Sequence, residues 1–217
     1  MVTVVMLLAV VGLWLLYWFP IRRWYKYWGV TDAELKRRMS GDLEIPDPTY
    51  EAMLAITIAA RPEHIWPWLV QMGARRGGLY SYDWLDQLFG FLDGPSAERI
   101  VPEFQRLAVG DVIPIGGASG SGFPVKDIDP LRTLLLGGKE GDVQWTWQFC
   151  LYPIDERGTR LVSRNRARVP RTIRDAMFMC VLEPAGFIMT RKMLLGLKRR
   201  AETLAAKEDA GAKWDAA

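Results

Sequence analysis

Two stretches in the second half of the chain constrain its fold more than anything else. In 143–152, VQWTWQFCLY, the residues Val143, Trp145, Trp147, Phe149 and Leu151 alternate with Gln144, Thr146, Gln148, Cys150 and Tyr152. In 159–169, TRLVSRNRARV, Arg160, Arg164, Arg166 and Arg168 fall on one parity, and Leu161, Ser163, Asn165, Ala167 and Val169 on the other. Successive strand side chains point to opposite faces, so such alternation predicts antiparallel strands with one face covered. Three shorter runs precede them, VGDVIPIG, GFPVKDID and LRTLLLGG, separated by Gly or Asp-Pro turns. An earlier strand is predicted where Leu54, Ile56 and Ile58 alternate with small or polar residues.

The helical signals lie before and after this meander. Pro62 suits the first helical position and Glu63 the first turn, which predicts a helix over 62–72. Pro67 would remove a hydrogen bond inside it, so a kinked or 3₁₀-like start is expected. A second short helix is expected over 82–89, with Trp84, Leu85, Leu88 and Phe89 on one side. At the end, 172–181 reads as one helical piece, interrupted near Glu183-Pro184. From Phe187, the residues Thr190, Leu194, Leu197, Ala201 and Leu204 form a narrow stripe on a long helix. Strands grouped together and followed by a helix predict an α+β fold.

The N-terminus stands apart. No charge precedes Arg22, and residues 2–19 would span about 27 Å as a helix, near the thickness of a hydrocarbon core. Trp14, Tyr17, Trp18, Trp24, Tyr25, Tyr27 and Trp28 would form an interfacial belt. A cleaved signal peptide fits less well, since no basic residue precedes the apolar run and bulky residues follow it. The expectation is therefore a single-pass transmembrane helix within 1–28. Arg22, Arg23 and Lys26 on its C-terminal flank would put the following domain on the cytoplasmic side of the cell membrane. Residues 29–50 read as a connector. Thr31 and Glu34 form a capping-box pattern that predicts a helix over 32–39. A domain over 51–207 and a disordered tail over 208–217 complete the organisation.

Composition excludes several function classes. The net charge of +3 is mild, the basic residues are scattered, and no nucleic-acid motif is visible. With one histidine, His64, and two cysteines there is almost no material for a zinc site or a histidine triad. No metal or cofactor is expected. Gly77-Gly78 lies in no phosphate-loop pattern and reads as a turn requiring positive φ.

Several segments carry a resemblance. They are Ile56-Thr57-Ile58, the WPWLVQMG of 66–73, the RGGLYSYDWL of 76–85, Ile100-Val101-Pro102-Glu103, Val109-Gly110-Asp111, Asp129-Pro130, and 183–187 through 192–196. Together the chain resembles the SRPBCC superfamily, which groups START lipid-transfer domains, birch-pollen-allergen-like proteins and polyketide cyclases. The closer likeness is to bacterial members. The resemblance covers about 52–204. It implies a helix-grip fold, in which a curved antiparallel sheet of about six or seven strands wraps a long C-terminal helix around a hydrophobic cavity. It implies no catalytic residues, because the superfamily shares a fold and not one chemistry.

Candidate site residues follow from the patterns. Trp145, Trp147 and Phe149 would be either core or cavity wall, with Trp66, Leu69 and Tyr80 facing them from the helix side. Ser163 and Asn165 lie among apolar residues on their face. They need a partner, whether backbone, water, another side chain or a ligand. The arginine face of 160–168 is either solvated or in contact with anionic lipid. His64 is expected at the surface. No catalytic residue is assigned, but Asp83, Asp86 and Glu103 are the acids to test first, Asp83 otherwise serving as a cap or hydrogen-bond acceptor. The expected function is membrane-tethered binding of a hydrophobic small molecule or lipid. The alternatives are an enzyme of cyclase or dehydratase type, and a membrane-bound interaction module with a filled core.

Overall fold

The computed structural model describes residues 2–116 and 122–215. Six strands form its sheet: β1 (Tyr50–Ile58), β2 (Val112–Pro114), β3 (Gly122–Asp129), β4 (Thr133–Glu140), β5 (Val143–Pro153) and β6 (Thr159–Arg168). All pairs are antiparallel, in the order β1-β6-β5-β4-β3-β2. The order is that of a meander closed by its first strand. Short turns join β3 through β6, and β1 returns beside β6, pairing Tyr50 with Ala167 and Ile58 with Thr159. Between β4 and β5, Glu140 pairs with Val143 across a two-residue turn that Gly141 enters at φ 57°.

One long helix, α6 (Ile173–Asp215), crosses one face of the sheet and packs against β1 and against α4 (Pro62–Val70). Its stripe is the predicted one: Met193, Leu194, Leu197 and Ala201 are buried against Leu54, Ile58, Leu151 and Leu161. The molecule is thus α+β, with a six-stranded antiparallel sheet and a long C-terminal helix in the helix-grip arrangement.

The expected interruption at Glu183-Pro184 is absent, because α6 runs through Pro184. Proline costs an interior helix the bond to the residue four back. Here that residue is Cys180, which is exposed. The helix also continues beyond the expected start of the tail at 208, and Glu208 reaches back to His64 at 2.7 Å. That contact buries His64, which the sequence reading left at the surface.

The opposite face of the sheet is covered by the connector. Thr31 caps α3 (Asp32–Leu35) and makes the full capping box: Glu34 N donates to Thr31 Oγ1 at 3.3 Å, and Thr31 N donates to Glu34 Oε2 at 2.8 Å. The helix is shorter than the predicted 32–39, and a 3₁₀ turn over Ser40–Leu43 follows it. Met39 packs with Met53, Ala55, Cys150 and Val162 in a second cluster. This cover corrects the reading of the arginine face. Arg160 pairs with Glu34 at 2.7 Å, Arg164 with Asp42 at 2.8 Å, and Arg166 with Glu51 at 2.6 Å. Arg166 also reaches Asp42, at 3.3 Å, so all three fasten the connector to the sheet. Arg164 is buried, Arg160 and Arg166 are partly buried, and of the four only Arg168 is exposed. Burial works against ionisation of Glu34, but the Arg160 guanidinium and Thr31 hold its carboxyl down at about 2.

The N-terminal run forms α1 (Val2–Leu16), a π-helical turn over Tyr17–Ile21, and α2 (Arg22–Lys26). Among the described residues no helix is long and apolar enough to cross a membrane. The expected helix over 2–19 is thus realised as an α-helix that passes into a π-helical turn. At 15 residues α1 is about 22 Å long, short of a hydrocarbon core of about 30 Å. Its end has a local cause. Pro20 cannot donate to the Leu16 carbonyl, and the ladder widens over that turn.

Candidate functional site

A cavity of about 760 Å³ lies between the sheet and the N-terminal half of α6. The sheet contributes Trp145 and Trp147 of β5, Asn165 and Ala167 of β6, and Ala52 of β1. Facing them, α6 contributes Phe178, Met179, Leu182, Gly186 and Phe187. Tyr25 and Lys26 of α2 close one end, and Phe123 of β3 lies at the other wall.

The cavity exists because small residues occupy the places where large ones would fill the gap. Ala167 pairs with Trp145 on one side and with Tyr50 on the other, and Ala52 pairs with Asn165. Their side chains are too short to reach α6. The aromatic wall, by contrast, is fixed. Phe123 meets Trp145 edge-on at 5.6 Å and Trp147 at 5.2 Å. Trp147 also stacks at a tilt on Phe149, with centroids 4.9 Å apart, and its indole N–H donates to Ser163 Oγ at 2.9 Å.

Trp145, Trp147 and Asn165 line the cavity as the sequence reading allowed. Ser163 does not; it is buried and engaged by Trp147. Asn165 differs, since its side-chain amide makes no hydrogen bond among the described residues although it faces the cavity. Phe149 and Leu69 are fully buried core, and Trp66 packs half-buried against that core. Tyr80 is a strut and no wall. Its hydroxyl donates to the Trp68 carbonyl at 3.0 Å and its backbone N–H to Ser96 Oγ at 2.9 Å. Gly196 of α6 lies so close to Tyr80 that any Cβ at 196 would collide with the Tyr80 carbonyl oxygen. Helix and strut are in contact there. The helix-side wall therefore comes from α6 and α2, and not from Trp66, Leu69 and Tyr80. Gly78, at φ 82°, belongs to the turn expected there, and a Cβ on it would strike Ser96.

The three acids separate clearly. Asp83 accepts from Ser96, at 2.6 Å from its hydroxyl and 3.0 Å from its backbone N–H, which is the acceptor role foreseen for it. Glu103 is exposed on a 3₁₀ turn and lines neither this cavity nor the smaller pocket beside it. Asp86 is the surprising one. It sits in α5 (Asp83–Leu88), on which Trp84, Leu85, Leu88 and Phe89 were grouped on one side. Trp84, Leu88 and Phe89 are exposed and Asp86 is 1% exposed. The chain folds over it: Phe91 N and Leu92 N both donate to the Asp86 carbonyl, at 2.7 and 3.3 Å, and Ser81 Oγ bonds the carboxylate. Burial pushes the Asp86 carboxyl above the usual range, opposed by the Ser81 hydroxyl. It faces a smaller pocket of about 150 Å³ that shares Phe123, Trp147 and Thr190 with the main cavity.

At the α2 end, Arg22 makes a bidentate pair with Glu183 of α6, both contacts at 2.7 Å, and Tyr25 donates to the same carboxylate at 3.1 Å. These bonds fix α2 across the cavity's end. The sequence reading missed α2 as a wall, as it missed Phe178 and Leu182, which lie off the predicted stripe. Their place in the continuous apolar run 176–182, AMFMCVL, was the available signal. Among the described residues no group of three His, Cys, Asp or Glu side chains is placed to hold a metal ion.

No protein-family model and no curated protein matches the chain. Solved structures with a similar outline include protein MLL2253 from Mesorhizobium loti, 16% identical, TM-score 0.43, covering 71% of this chain and 98% of that one. TTHA0849 from Thermus thermophilus is 16% identical, with TM-score 0.41, covering 72% and 99%. A norcoclaurine synthase point mutant from Thalictrum, in complex with a transition-state analogue, is 16% identical with TM-score 0.40, covering 74% and 96%. At such scores the likeness adds no argument, and the helix-grip assignment rests on the sheet order and on α6.

Proposed function

We propose that the protein binds a hydrophobic small molecule or lipid in the cavity between its sheet and the N-terminal half of α6. The observation that carries this reading is the cavity itself. Its volume of about 760 Å³ lies within the range of about 300–1,000 Å³ typical of small-molecule sites. Its exposed lining is mainly aromatic and aliphatic, as burial-driven binding requires. Mass spectrometry of molecules extracted from protein purified from its own host tests the reading. A co-purifying apolar molecule that is lost in Ala167→Trp supports it. Its retention in that variant would overturn the assignment to this cavity.

In the same reading α1 holds the domain at the cytoplasmic face of a membrane. Val2, Val4, Val5 and Met6 are exposed on an apolar helix that carries no charge, which favours lipid over water. The full chain should float with liposomes and a chain lacking residues 2–21 should not; equal flotation would remove this role.

Asp86 favours a second reading, an enzyme of cyclase or dehydratase type. A buried carboxyl whose protonated form is favoured by burial, beside an apolar pocket, is suited to donate a proton to a bound chain. Turnover that disappears in Asp86→Asn while ligand binding persists would support it.

A further inference from the structure

The cavity wall is mainly apolar, and a cation lines its α2 end. Lys26 lines it there, half-buried, its ammonium 5.1 Å from the centre of the Tyr50 ring and 5.9 Å from that of Tyr27. Among the described residues this ammonium has no hydrogen-bond or ion-pair partner. The nearby carboxylates are taken. Glu183 is engaged by Arg22 and Tyr25, and Glu51 by Arg166. Asp175, which also lines the cavity, accepts from the Thr172 hydroxyl at 2.5 Å. The other lining cations differ from Lys26. Arg166 is paired with Glu51 and Asp42. Arg174 is exposed at the start of α6 and also has no partner among the described residues.

Removing a cation from water without giving it an anion is unfavourable, and two phenol rings return only part of that loss. The Lys26 ammonium accordingly lies below the ordinary lysine range, through burial first and repulsion from Arg22 second. The same cavity is lined by the unpartnered amide of Asn165 and by Trp147 and Phe123.

We infer that the cavity takes an amphiphile with an anionic head, the head paired with Lys26 and Asn165 and the apolar body lying along Trp145 and Trp147. Resting on the binding function proposed above, this names its ligand class. A carboxylate or a phosphate would serve, since either offers oxygens to the ammonium and to the Asn165 amide. Arg174 at the mouth would meet the head as it enters.

The test is a titration of full-length protein by tryptophan fluorescence, with Trp145 and Trp147 as reporters in the wall. Oleic acid, oleyl phosphate and oleyl alcohol share one chain and differ in the head. Either anion should bind about ten-fold or more tightly than the alcohol, the size of one charge-assisted contact. Preference for the phosphate over the acid would point to a lipid phosphate as the source, and the reverse to a free fatty acid. Lys26→Met should collapse the anion-to-alcohol ratio to about three-fold or less, and Lys26→Arg, which keeps the charge, should retain most of it. Equal affinity of wild type for acid, phosphate and alcohol would overturn the inference and leave the cavity reading standing. A ratio that persists in Lys26→Met would likewise overturn it. Failure of all three to bind would overturn both. A thermal melt of each variant separates loss of the contact from loss of the fold.

Discussion

The two halves of α6 meet the same sheet and do so differently. In the C-terminal half, Leu194, Leu197 and Ala201 are fully buried, and Gly196 lets the helix settle onto Tyr80. That half is closed core. In the N-terminal half, Phe178 is 62% exposed, and the residues opposite are Ala52, Ala167 and Asn165. There the helix is held off the sheet by the bulk of Trp145 and Trp147, and by the bonds of Arg22 and Tyr25 to Glu183. One helix and one sheet thus give packing at one end and a cavity at the other. Side-chain volume decides which, because a gap that no side chain reaches cannot close without bending both elements.

The largest effect should come from the packed half. Leu194→Ala should cost about 2–5 kcal/mol by chemical denaturation, as full truncations in closed cores do. Leu182→Ala in the open half should cost less than about 1 kcal/mol, since its side chain is already partly in solvent. Equal losses would break the comparison. Next comes the contact that sets the gap. Arg22→Ala leaves the buried Glu183 carboxylate without its ion pair and should cost about 3 kcal/mol. It should also release α2, which hydrogen exchange in 22–26 would detect.

Overfilling sharpens the contrast from the other side. Ala201→Trp should cost about 1–3 kcal/mol, because the packed half has no room. Ala167→Trp, entering the cavity, should change stability by less than about 1 kcal/mol while removing ligand binding. Similar destabilisation by both would mean the gap is not real space.

The smallest effects are those of pH. The raised pKa of Asp86 means that the fold favours its protonated form, so this contribution is present at low pH and lost as pH rises through the folded value. Asp86→Asn should therefore melt higher than wild type at neutral pH and alike below about pH 3.8. Glu34 runs the other way. Its contribution is present above about 4.5 and lost as pH falls toward about 2, and Glu34→Gln should flatten that part of the acid titration.

Much of the fold was legible because its signals are local. The parity of 143–152 and 159–169 became β5 and β6 at nearly the predicted limits. Thr31 and Glu34 made their capping box, and the stripe through Leu194, Leu197 and Ala201 found the core. In each case the deciding neighbours lie within a few residues, or repeat with the period of the element itself. The candidate site was only partly legible. Trp145, Trp147 and Asn165 could be named from their strand parity, but Trp66, Leu69 and Tyr80 were misplaced and Lys26 was not foreseen.

The amino-acid sequence by itself determined which residues share a strand face, where α3 starts and which stripe of α6 is apolar. Only the tertiary structure decided that the connector covers Arg160, Arg164 and Arg166, that α5 turns Asp86 inward, and that the cavity opens beside α2. The physical reason is the range of the interactions. Periodicity and capping act between residues close in the chain. A cavity or a buried ion pair is made by what arrives from elsewhere: Lys26 and Asn165 are far apart in sequence and line one space only because α2 and β6 meet it from different sides.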